Sequence, residues 1–184
     1  MKSILIVIMF FYLSTSVYGQ RMLPKQKSIE INSGLLIKKN SESYFINTGI
    51  AVFAKKGNYM LYSLEYSNNS VPYKSVKIPV ENFIAEAGYS FNILANRTKS
   101  FMVNTTLSAM GGYEHINQGE EMLYDGAKLL SESSFIYGTG AKLSLETYLS
   151  DRIAIIASSK VRLLFKTSQN QLVSSLGIGI RINL

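Results

Sequence analysis

His115 is the single imidazole of the chain; it follows Glu114, and Ser131, Ser133 and Ser134 come shortly after it. A serine, a histidine and a carboxylate are the parts of an acyl hydrolase, in which the imidazole takes the hydroxyl proton and the carboxylate orients the imidazole. Serine is abundant here, so the coincidence is cheap, and a rim histidine in contact with water or headgroups is the plainer reading. Glu120 and Glu121 form an acidic pair without the neighbouring Asp and Asn oxygens that a calcium loop supplies. Gly138-Thr139-Gly140 lies inside an alternating segment with no helix after it, so it is not a nucleotide loop. The absence of cysteine excludes a disulfide scaffold, a thiolate zinc site, a thiol nucleophile and a lipidated cysteine. No catalytic residue, cofactor or metal is expected, and the chain is expected not to be an enzyme.

The elements that would have to position such groups are strands. The 184 residues are 47% hydrophobic and 17% charged, with 12 Tyr and 9 Phe, which suits one folded domain and not a disordered tail. Lys and Arg exceed Asp and Glu by 19 to 12; without Lys2, in a segment expected to be removed, the excess is 18 minus 12, or +6. Pairs such as Lys38-Lys39 and Lys55-Lys56 are isolated along the chain, so direct contact with nucleic acid is not expected.

Residues 1–19, MKSILIVIMFFYLSTSVYG, have a basic start, a ten-residue apolar run from Ile4 to Leu13 and small or polar residues up to Gly19. That is the layout of a secretory signal peptide, and the run is too short for a spanning helix of about 20 residues. Residues 20–184 then form a single domain, with 20–27 as a periplasmic leader. No later stretch is apolar enough for a spanning helix, which leaves a soluble exported protein or a membrane barrel.

Alternation of period two runs through the mature chain. It predicts eight strands, at about 28–37, 44–54, 58–67, 80–94, 100–115, 135–149, 153–165 and 172–184. In the last, Leu172, Leu176, Ile178, Ile180, Ile182 and Leu184 share one face, while Gly177, Gly179, Arg181 and Asn183 share the other. The apolar faces lack Asp, Glu, Lys and Arg. The opposite faces carry Glu30, Glu65, Glu86, Glu114, Lys142, Glu146, Lys160, Arg162 and Arg181, together with many glycines. A charge-free face suits lipid, where an Arg or Lys at mid-depth costs about 2–4 kcal/mol. Carboxylates and cations confined to a narrow lumen can pair, and a lumen ion network of Glu30, Glu65, Glu86, Lys142, Glu146, Arg162 and Arg181 is expected.

Connections alternate between long (38–43, 68–79, 116–134, 166–171) and short (55–57, 95–99, 150–151), as in barrels with external loops and tight periplasmic turns. Tyr44, Tyr66, Phe83, Tyr113, Phe135, Tyr137 and Phe165 fall at the external ends of the apolar faces, as an interfacial girdle would. Eight strands leave an interior that side chains fill, so a plugged barrel is expected and not a pore. In the longest connection, Met122, Leu123, Tyr124, Asp125, Leu129 and Leu130 are too apolar for a solvated tip and are candidates for contact with a partner.

Five blocks carry a resemblance: QRMLPKQKSIEINSG at 20–34, GNYMLYSLEY at 57–66, IPVENFIAEAGYS at 78–90, GYEHINQGEEMLYDGAKLL at 112–130 and FIYGTGAKLSLETYLSDR at 135–152. Their order resembles the TraO family of conjugative-transposon transfer proteins over nearly the whole mature chain. The resemblance implies a part in the cell-envelope apparatus that moves transposon DNA between cells, with other envelope proteins of that apparatus and outer-membrane lipid as partners. It supplies no catalytic motif.

The expectation is an all-β, eight-stranded antiparallel up-and-down outer-membrane β-barrel with a filled lumen, acting as a structural or docking component of conjugation. The alternatives are a barrel lipid hydrolase using His115, and a soluble periplasmic barrel that binds an apolar ligand.

Overall fold

The computed structural model describes residues 22–37, 43–73, 76–117 and 133–184. The export segment 1–19, Lys38-Lys39, Glu120, Glu121, Ser131 and the contact candidates Met122, Leu123, Tyr124, Asp125, Leu129 and Leu130 lie outside the described residues. Eight strands follow one another: β1 (Lys27–Ile37), β2 (Tyr44–Phe53), β3 (Tyr59–Tyr73), β4 (Val76–Ala95), β5 (Phe101–Ile116), β6 (Ser134–Tyr148), β7 (Ile153–Phe165) and β8 (Leu172–Asn183). Each pairs antiparallel with the next, and β8 pairs with β1, so the sheet closes into a barrel. Closure satisfies the backbone from strand to strand wherever the eight strands overlap.

One element departs from the sequence expectation. Residues 68–79, a long loop by sequence pattern, are mostly strand: β3 and β4 stay paired as far as Tyr73 opposite Val76. The tip SNNSVPYKSVKIP reads as loop because it carries two prolines and two asparagines. Beyond Asn68 and Val80 the flanking strands β2 and β5 have ended, so among the described residues both arms of this hairpin have a free side there. Proline is tolerated in such edge strands, where a missing N–H need not interrupt a ladder, and Pro72 and Pro79 fall within these arms.

The two faces are sorted opposite to those of a water-soluble globule. Large apolar side chains point outward, with Ile178 68% and Leu64 64% exposed, while Arg162 is 1% and Arg181 0% exposed in the interior. Burying charge and exposing Ile and Leu over a whole barrel costs stability in water, where the hydrophobic effect drives the reverse. A soluble barrel with an apolar ligand cavity would need the faces exchanged. The outward face is not wholly uncharged: Glu81 lies on it, at the outer end beyond Phe83.

The interior is layered. At the end where β1 begins, Met22, Phe53, Tyr59, Leu61, Met102 and Tyr148 pack together. Toward the other end, Leu36, Phe45, Ile84, Ile136, Leu164 and Val173 form a second apolar layer, and Ile78, Val80 and Ile116 a third. Polar and charged groups lie between the first two layers. Glycine permits this density at Gly177, where an added Cβ would stand 2.7 Å from Cζ of the Phe45 ring. Met22 reaches its layer because the chain ahead of β1 folds under the mouth, with Lys25 N–H donating to the Phe53 carbonyl (2.8 Å) and Phe53 N–H to that of Gln26 (2.9 Å).

Candidate functional site

The parity of eight strands turns ionic groups into a space where water is scarce, so each must find a partner in the interior. In the first cluster Arg181 on β8 is the centre. Its Nε and Nη2 donate to Glu30 Oε2 at 3.0 and 2.6 Å, and its Nη1 and Nη2 donate to Glu146 Oε2 and Oε1 at 2.5 and 3.1 Å. The guanidinium carbon sits 4.3 Å over the Tyr59 ring, and Tyr59 itself donates to Glu146 at 2.8 Å. The planar fork suits this setting: it serves two carboxylates while stacking on an aromatic face. Lys142 Nζ donates to the other oxygen of Glu30 at 3.3 Å, which also accepts from Asn32 at 3.1 Å.

In the second cluster Lys160 Nζ bridges Glu65 and Glu86, both at 2.8 Å, and Arg162 Nη1 pairs with the remaining oxygen of Glu65. Lys142 and Lys160 stand directly opposite each other on β6 and β7. Like charges in that position repel; here each ammonium leans to a different carboxylate, which divides the interior into two clusters. Several struts join non-adjacent strands: Glu30 on β1 to Lys142 on β6, Glu65 on β3 to Arg162 on β7, and Glu86 on β4 to Lys160 on β7. They span the lumen, with apolar layers on either side.

Thus the structure brings Glu30, Lys142, Glu146 and Arg181 together in one cluster, and Glu65, Glu86 and Arg162 in the other with Lys160. Glu114, inward and fully buried, joins neither. It accepts from Thr167 Oγ1 and from the Ser168 backbone N–H, both at 2.7 Å, and so fastens the β7–β8 connection to β5. Sequence reading found its face but not this role, because the partner lies 53 residues away in an irregular segment.

The outer rim carries an aromatic arc on the outward face, with ring centroids of Tyr44–Tyr66 at 6.3 Å, Tyr66–Phe83 at 5.1 Å and Tyr137–Phe165 at 5.6 Å. Tyr66 OH donates to Glu81 at 2.6 Å, which draws that carboxylate onto the arc. His115 lies beside it, with Nδ1 3.7 Å from Glu81 Oε2. The two described serines of the hydrolase reading are engaged elsewhere: Ser133 Oγ accepts from Ile116 N–H, and Ser134 Oγ donates to the Lys166 carbonyl. Among the described residues no group of three or more His, Cys, Asp or Glu is arranged to hold a metal ion.

Known proteins bear on this geometry. Residues 23–184 match the family model described as "Conjugative transposon protein TraO". No curated protein matches the sequence. Among solved structures, Ail of Yersinia pestis, in complex with the heparin analogue sucrose octasulfate, is 13% identical with a TM-score of 0.59, the match covering 88% of this chain and all 100% of that one. Neisserial surface protein A is 11% identical with a TM-score of 0.56, covering 87% and 97%. The N-terminal barrel domain of Pseudomonas aeruginosa OprF is 11% identical with a TM-score of 0.51, covering 87% and 98%. At these identities the likeness is one of fold: an eight-stranded antiparallel barrel of the outer-membrane kind.

Proposed function

The chain belongs to the TraO family of conjugative transposon proteins, and on that premise we propose that it is a non-catalytic, outer-membrane component of the envelope apparatus for conjugative DNA transfer, with a structural or docking role. One observation carries the reading: an outward belt of Ile, Leu, Val, Phe and Tyr closes around an interior spanned by buried ion pairs. Such a belt needs acyl chains against it, and an eight-stranded interior filled by side chains suits a plugged barrel and not a pore, so in this reading the barrel acts through its ends and its belt.

In this reading residues 1–19 direct export and are cleaved, and the short turns and N-terminal residues face the periplasm. The ion network is structural: it makes the filled interior a rigid strut. The connection that contains Met122, Leu123, Tyr124, Asp125, Leu129 and Leu130 is the surface offered to another protein of the apparatus.

Fractionation of cells that express the full chain tests location: the protein partitions with outer membranes and migrates differently on gels before and after boiling. Serine at those six positions tests docking. Transfer frequency falls at least tenfold while the amount of heat-modifiable barrel is unchanged; undiminished transfer refutes docking through this segment.

A further inference from the structure

An up-and-down barrel gathers the starts of its odd strands and the ends of its even strands at one rim. At that rim lie Lys25 and Lys27 at the entry to β1, Lys55 and Lys56 in the β2–β3 turn, Arg97 and Lys99 in the β4–β5 turn, and Arg152 ahead of β7; all seven are exposed. Asp151 is the one acidic side chain there among the described residues, so the side chains of this rim sum to 7 minus 1, or +6. Within the lumen, Glu30, Glu65, Glu86 and Glu146 balance Lys142, Lys160, Arg162 and Arg181 at 4 minus 4, or zero. The basicity of the described barrel is therefore concentrated at one end, although these residues are scattered from 25 to 152 along the chain.

Two features narrow the partner. The cations occur at all three short turns and at the β1 entry, so they ring the circumference and do not crowd one side. They also stand where the outward apolar belt stops: Lys27 precedes Ile29 on the same face of β1, exposed Phe91, Ile93, Leu94 and Phe101 flank Arg97 and Lys99, and Leu149 and Ile153 flank Arg152. A protein partner would engage a patch. A sheet of charge around the barrel at this depth engages all of the ring. Lysine and arginine lay their methylenes on apolar surface and extend the charge to headgroup level, and cations beside a membrane-embedded segment attract anionic lipid.

We propose that this rim is a ring-shaped binding surface for the phosphate headgroups of anionic phospholipids, in the leaflet on the side of the short turns. The inference rests on the outer-membrane reading above. The full chain, purified from cell membranes in detergent, is reconstituted into phosphatidylcholine vesicles that contain phosphatidylglycerol, and lipid retained against the barrel is followed with spin-labelled phosphatidylglycerol or phosphatidylcholine.

In dilute buffer the labelled phosphatidylglycerol is retained several-fold more than the labelled phosphatidylcholine, and molar sodium chloride brings the ratio close to one by screening. The variants K55Q/K56Q/R97Q/K99Q and K25Q/K27Q/R152Q, each checked for heat-modifiable mobility, each lower the ratio. At matched ionic strength inorganic phosphate competes no better than chloride; stronger competition by phosphate marks a site for the free ion and overturns the proposal. A protein that fails to float with vesicles overturns the membrane reading, and this inference with it. A protein that floats but retains both lipids equally overturns the ring alone and leaves its charge for an acidic protein. A ratio indifferent to both variants overturns it as well.

Discussion

Arg181→Met removes the centre of the larger buried cluster while keeping much of the side-chain volume. The substitution deletes four hydrogen bonds, two to Glu30 and two to Glu146, and the cation–π contact with Tyr59. Glu30 keeps Lys142 at 3.3 Å and Asn32 at 3.1 Å. Among the described residues Glu146 then keeps only neutral donors, Tyr59 at 2.8 Å and Ser144 at 3.5 Å, and becomes a fully buried carboxylate with no cation among them. Breaking a buried pair by removing one member costs about 3–5 kcal/mol, because the remaining charge has neither water nor partner. A urea titration of the vesicle-reconstituted protein, followed by tyrosine fluorescence and by gel mobility, measures it. The same logic predicts the remedy: adding Glu146→Gln to Arg181→Met removes the orphaned charge and recovers a large part of the loss, whereas in the parent Glu146→Gln destabilises. A loss below about 1 kcal/mol, the range of exposed pairs, refutes the reasoning. So does a double variant no more stable than Arg181→Met alone.

Ile178, 68% exposed midway along β8 and opposite Ser33 and Ala157, tests what the belt faces. Ile178→Arg costs about 2–4 kcal/mol in vesicles if the position meets acyl chains, against about 0.5 kcal/mol or less for a surface exposed to water; the same urea titration distinguishes them. Glu114→Ala removes the acceptor that holds Thr167 and Ser168, at a local cost of about 1–3 kcal/mol. Limited proteolysis within 166–171 then accelerates, and an unchanged cleavage rate shows that the carboxylate does not anchor this connection.

Period-two alternation made the architecture legible. In a segment such as 172–184, a slip of one residue would turn Arg181 outward and Ile180 inward, and no other register separates oil from charge so cleanly. Strand number and order of neighbours follow from the same local pattern and from the short turns. The β3–β4 hairpin was not legible: its extra length depends on two neighbouring strands ending early, and that information lies outside the segment itself. For the same reason its two prolines read as loop markers in the sequence although they occupy edge positions in the sheet.

By itself the sequence determined which side of each strand is apolar, which face receives Glu30, Arg162 and Arg181, and that tyrosine and phenylalanine collect at strand ends. These are properties of residue type and spacing along one strand. The tertiary structure decided the rest. Closure of the barrel sets which carboxylate meets which cation, so Arg181 serves Glu30 and Glu146 while Lys160 takes Glu65 and Glu86. It puts Met22 into the mouth, gives Glu114 a connection to hold, and draws seven scattered cations into one rim. Pairing across a lumen depends on the stagger between strands distant in the chain, and no pattern within a single strand encodes that distance.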